Sequence, residues 1–121
     1  MTYTYNKPLL SAASIDGDKV KNAKGEDLGN IKDLMINTAT GEIQYAVLSF
    51  GGFMGMGDKF FAVPWEAFAV DWEDECLTLN VEKDVLKSAP GFDKDNWPNM
   101  ADLKFQDQIS GHYGIGARRA A

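Results

Sequence analysis

The sequence predicts a mainly β fold: a small closed β-barrel of five to six short antiparallel strands, with a short helix and a C-terminal helical tail. Three observations carry that expectation. Apolar runs of four to nine residues recur at regular spacing through residues 11–90, and each is bounded by Asn, Asp or Gly of the kind that turns a chain. One run, Tyr45-Ala46-Val47-Leu48-Ser49-Phe50, is apolar on both faces and so reads as a strand covered on both sides. No stretch between the runs is long enough for crossover helices, and closing a set of short strands into a barrel removes their exposed edges.

The elements follow in order. Residues 1–10 show no period and read as a flexible lead-in. Ser11-Ala12-Ala13-Ser14-Ile15 is compatible with a first short strand, and Ser14 or Asp16 with the cap of a single helical turn ending near Val20. Asn22-Ala23-Lys24-Gly25-Glu26 is a turn. A strand over Leu28 to Ile36 would put Leu28, Leu34 and Ile36 on one face, with Gly29, Ile31, Asp33 and Met35 on the other. Asn37-Thr38-Ala39-Thr40-Gly41 suits a bulged hairpin leading into Ile43 to Phe50. A glycine-rich loop follows, then a strand from Lys59 to Val63 and a corner at Pro64-Trp65-Glu66-Ala67. Phe68, Val70 and Trp72 alternate with polar or small residues, as do Leu77, Leu79 and Val81, so the two runs form a hairpin across Glu73-Asp74-Glu75. Trp65 and Trp72 are expected to fill the barrel core.

Asp84 to Ala89 has a capping Asp and a stop at Pro90-Gly91, which gives a helix of one or two turns. The barrel is thus expected over 11–90. Residues 91–121 form a linker, a short helix whose Phe105 and Ile109 make an (i, i+4) pair and which Gly111, Gly114 and Gly116 end, and a loose tail. Trp97, beside Pro98 and outside the barrel, is expected to dock the tail onto the domain or onto a neighbouring subunit.

Composition bounds the function. The chain has 121 residues, 45% hydrophobic and 25% charged, which fits one folded domain. Its net charge of −6 repels phosphate and disfavours direct contact with nucleic acid or an anionic membrane. The densest basic group, Lys19, Lys21 and Lys24, is interleaved with Asp16, Asp18, Glu26 and Asp27. The single cysteine, Cys76, precedes Leu77 in a strand pattern and reads as a small buried apolar residue. No signal-peptide pattern and no run of 18 apolar residues is present. A reducing, cytoplasmic location without membrane insertion is therefore expected.

Gly52 and Gly57 have the spacing of a phosphate-binding loop, but position 58 is Asp where a Lys is needed, and a strand follows in place of a helix. Asp93-Lys94-Asp95 opens like a calcium loop, yet Pro98 stands at its sixth position and Lys104 at its twelfth. His112, the sole histidine, lies in a glycine-rich stretch without a triad around it and reads as a surface residue. These readings give no catalytic residue, no cofactor and no metal. What remains is the loop Gly51 to Asp58, where four glycines alternate with Phe53, Met54 and Met56, apolar side chains that a connecting loop would ordinarily lack.

That loop also carries a family resemblance. GGFMGMGDKFFAVPWEAF, with IQYAVLSF before it, resembles the centre of a PRC-barrel domain, and further matched segments are Gly25-Glu26-Asp27-Leu28-Gly29 and Thr40-Gly41-Glu42-Ile43. The likeness spans roughly Ser11 to Ala89. The family includes the cytoplasmic domain of the photosynthetic reaction-centre H subunit, a ribosome maturation factor, and short stand-alone bacterial and archaeal proteins, and this chain is most similar to the last. The resemblance implies a non-catalytic interaction module. The resulting expectation is a protein-binding adaptor, dimeric with its own copy, that uses Phe53, Met54, Met56 and Trp97 as contacts. An accessory role in ribosome maturation or RNA processing is the alternative, and a small-ligand carrier or enzyme ranks below both.

Overall fold

The computed structural model of the chain describes residues 3–50 and 59–114. A two-stranded hairpin of β1 (Tyr5–Asn6) and β2 (Leu9–Leu10) comes first. It is followed by α1 (Ala12–Ile15), β3 (Lys19–Lys21), β4 (Asp27–Asn37), β5 (Glu42–Phe50) and β6 (Lys59–Pro64). A 3-10 turn at Trp65–Ala67 leads to β7 (Phe68–Asp71), β8 (Cys76–Leu79), α2 (Lys83–Lys87), β9 (Gly91–Phe92) and α3 (Leu103–Tyr113). The main sheet has seven strands in the order β7-β8-β3-β4-β5-β6-β9.

The mainly β class expected from the sequence is present. One ladder is not of the expected kind: β3 pairs with β8 in parallel, Val20 opposite Leu77 and Lys21 opposite Thr78. All other ladders are antiparallel. Local patterning carries no information about which distant strands become neighbours, so this pairing could not be read from hairpin signals. The ladder runs from β7 to β9, and among the described residues no pairing joins these two ends. Strands β6 and β7 stand far apart in ladder order, yet Phe61 and Val63 of β6 and Phe68 and Val70 of β7 all pack on one apolar cluster. The sheet therefore curls strongly around that cluster.

Three register shifts produce much of the curl, because each sets two residues of one strand against one of its neighbour. The first lies where β4 meets Val20 and Lys21, the second leaves Lys32 unpaired between Ile31 and Asp33, and the third lies opposite Met35 and Ile36. They also correct the simple alternation expected for β4. Leu28, Ile31 and Leu34, three residues apart, all reach the same core, while Ile36 is exposed. Gly29 is part of this device. Its φ is 107°, and a Cβ there would sit 2.1 Å from the Ser49 carbonyl oxygen, so the close crossing of β4 and β5 requires glycine.

Two cores lie on opposite faces of β5 and β6, as the double-sided apolar pattern of β5 foretold. The inner core gathers Val20, Leu28, Ile31, Ala46, Leu48, Phe61, Val63, Leu77 and Leu79, with Leu86 of α2 over it. The outer one takes the alternate residues, Tyr45 and Val47 with Phe60 and Ala62, and covers them with Phe92, Met100 and Ile109. So the C-terminal segment, expected as a linker, a short helix and a tail, contributes a strand in addition to the helix, both packed onto its own chain. Helix α3 begins at Asp102, whose side chain accepts from the Lys104 N–H at 2.9 Å, and ends at the left-handed Gly114.

Two further expectations for the N-terminal part differ from the structure. The lead-in forms the β1–β2 hairpin, and Tyr3 is buried. Residues 11–15 form the helical turn α1 and not a strand, and Val20 belongs to a strand and not to the helix end.

Candidate functional site

The glycine-rich loop springs from the ends of β5 and β6, where Phe50 is paired with Lys59. Phe53, Met54 and Met56 themselves lie outside the described residues. Phe60, two residues past Asp58, meets the ring of Phe92 edge-on at 6.0 Å and that of Trp97 at 6.0 Å, while Phe92 and Trp97 are 5.1 Å apart. The β6–β9 ladder sets this trio, pairing Phe60 with Phe92 and carrying the chain on to Trp97. Trp97 remains 38% exposed. It thus has one side docked in cis on its own domain and the other open to solvent, at the end of the hairpin from which the loop departs. On the other face of β6, Lys59 lies over the Phe61 ring at 5.7 Å.

The other two tryptophans lie elsewhere. Trp65 is half-buried, packs at the rim of the inner core and meets Phe68 at 5.9 Å. Trp72, expected in the barrel core, instead sits just past β7 under the N-terminal segment, with the rings of Tyr3 and Tyr5 at 6.4 and 5.0 Å and Lys7 Nζ 5.5 Å from its centroid. Its position follows from the strand ending at Asp71, one residue before the alternation would have brought the indole inward.

The N-terminal segment is held by polar contacts that sequence reasoning did not reveal. The Tyr3 hydroxyl donates to Asp18 Oδ2, its backbone N–H donates to Glu75 Oε1, and the Thr4 N–H donates to Ser14 Oγ at 2.8 Å. Asp18 is only 3% exposed. Burial pushes its carboxyl above the usual range, against the hydrogen bonds from Tyr3 and the Lys19 backbone that pull it down. Burial, assisted by the Asp18 hydrogen bond, also raises the Tyr3 phenol, which therefore stays protonated as the donor. A lone Tyr in an aperiodic lead and an Asp beside a Gly carry no local signal of such a contact.

The basic cluster is largely committed to acids. Lys21 Nζ lies 2.7 Å from Asp74 and 3.7 Å from Asp71, and Lys24 Nζ lies 3.0 Å from Glu82. The hydrogen bond to Asp74 holds Lys21 above its ordinary value, and that to Glu82 does the same for Lys24. Backbone N–H groups of Asp74 and Glu73 donate to Asp71, whose carboxyl is lowered first by the Asp74 donor. These carboxylates build and pair a turn. Cys76 is buried on β8, as expected, and desolvation pushes its thiol up, away from thiolate reactivity. His112 is half-buried, and its Nε2 lies 2.8 Å from the Val85 carbonyl, tying α3 to α2.

Among the described residues no group of three or more His, Cys, Asp or Glu is placed to hold a metal ion. No helix of the described residues is long and apolar enough to cross a membrane. The arrangement at the loop base is thus chemically plain: an aromatic platform, one lysine, and a backbone hairpin that presents the loop.

Comparison with known proteins agrees with the architecture. No curated protein matches the chain. The family pattern of the PRC-barrel domain matches residues 8–87, which takes in every strand of the main sheet except β9 and leaves the outer C-terminal layer beyond it. With that match extending over well over half its length, the chain belongs to the PRC-barrel domain family.

Proposed function

We propose that the chain is a non-catalytic protein-interaction module, a closed barrel that presents the Gly51–Asp58 loop and Trp97 to a second copy of itself. The observation that supports this reading is the placement of Trp97. A partly open indole on an aromatic platform, beside the point where a loop bearing Phe53, Met54 and Met56 leaves the sheet, is the residue type and setting that interfaces favour. The loop supplies apolar reach, the hairpin rigid support. Closed two-fold pairing would let the same patch serve both copies.

Light scattering over a range of concentrations tests the proposal. The intact protein is expected to dimerise, and Phe53→Asp and Trp97→Ala are each expected to shift it to monomer while leaving its circular dichroism unchanged. A strict monomer at high concentration, or a dimer indifferent to both substitutions, overturns the reading.

A further inference from the structure

At the opposite end of the β4–β5 hairpin, where the C-terminal layer crosses it, lies a cleft of about 240 Å3. Its apolar surface comes from Met35, Ile36 and Met100, and none of its lining side chains is charged. Two amide side chains on its walls have their orientation fixed by the backbone. The Ala39 N–H donates to Asn37 Oδ1 at 3.0 Å, which turns the Nδ2 amine of this half-buried residue away from that bond as a donor. Gln106 Nε2 donates to the Met100 carbonyl at 3.1 Å, which leaves Gln106 Oε1 buried with no partner, in a residue only 1% exposed. A buried acceptor in that state is costly, because it has lost water and gained nothing in return. It is the kind of group that persists where something else completes it.

A buried acceptor without a partner and an amide donor on a half-buried residue, both on the walls of one uncharged cleft, define a complementary ligand. We propose that the cleft binds a small neutral molecule that carries a primary carboxamide on an apolar body. The ligand N–H donates to Gln106 Oε1, its carbonyl accepts from Asn37 Nδ2, and the apolar body lies against the thioethers of Met35 and Met100. Gln106 Oε1 is covered in this structure, so binding involves a small displacement of the wall, for which unbranched methionine side chains are well suited. The volume lies below the roughly 300–1,000 Å3 of drug-sized pockets and so suits a fragment such as an aromatic amide. A carboxylate or ammonium ligand would lose its hydration there with no opposite charge to receive it.

The test is isotope-edited NMR on the full chain with three probes of one shape: benzamide, benzoate and benzylammonium. Benzamide is expected to shift the side-chain amide resonances of Asn37 and Gln106 saturably, and the two charged probes to leave them in place. Gln106→Met, which keeps volume and removes the acceptor, is expected to weaken benzamide binding by at least about tenfold. The proposal is overturned by an absence of saturable shifts with benzamide, by an equal response to benzoate or benzylammonium, or by a folded Gln106→Met that binds benzamide undiminished. Should that variant fail to fold, the three-probe comparison on the unaltered protein decides the matter.

Discussion

Asp18 is the residue whose chemistry most directly links the N-terminal segment to the main sheet. Its folded-state carboxyl is raised, so the folded protein binds that proton more tightly than the unfolded chain does. The stability contributed in this way is fully present below the ordinary carboxylate value and is lost as pH climbs through the raised one. Tyr3→Phe removes the hydroxyl that favours the ionised form. The substitution is expected to move the Asp18 titration still higher, read by carbon-13 NMR, and to cost about 1–3 kcal/mol at neutral pH in urea denaturation. An unmoved titration would show that the phenol is not bonded to Asp18 in solution. None of this was legible beforehand, because a tyrosine 15 residues upstream of an aspartate is a tertiary contact with no periodic signature. Cys76 was legible, since a small residue next to Leu77 in an alternating run has one obvious place to go.

At the scale of elements, the outer layer is where sequence and structure part most instructively. Strand β5 announced two buried faces through Tyr45 to Phe50, but not what would cover the second face. Helix α3 buries Gln106, Ile109 and Ser110, a stripe so mixed in polarity that its amphipathic signal is weak. Its ends were clearer, since Gly114 is a strong terminator. Likewise β3 reads Lys-Val-Lys, too short to display a period, and its strand character comes from neighbours on both sides. Packing of α3 makes a sharp contrast available. Ile109, fully buried, is expected to cost about 2–4 kcal/mol on replacement by Ala, whereas Leu103→Ala, 52% exposed on the same helix, is expected to stay within about 0.5 kcal/mol. Equal effects in urea denaturation would mean that the helix does not rest on the sheet.

For the molecule as a whole, the two cores share β5 and β6 as a common wall, so disruption of either should propagate to the other. Amides of β5, hydrogen-bonded to strands on both sides and covered on both faces, are expected to be the slowest to exchange with deuterium. Faster exchange there than in β7 would contradict a shared wall. The fold class was readable because alternation and turns are local properties. The candidate interface was readable only in part, through Trp97, because the reason it faces outward is the Phe60–Phe92 platform assembled by β9. The amide-lined cleft lay wholly outside the reach of sequence, since it unites Asn37 in a turn with Gln106 in a late helix.

The parallel seam between β3 and β8 bears on how the protein is made. During synthesis Val20 emerges well before Leu77, its eventual neighbour, so β3 must wait with one flank unsealed while the ribosome delivers most of the domain. The meander β4–β5–β6, built from sequential partners, is the natural first structure on the nascent chain. The seam then fastens only after that meander, which ties enclosure of the inner core to release of residues near 79.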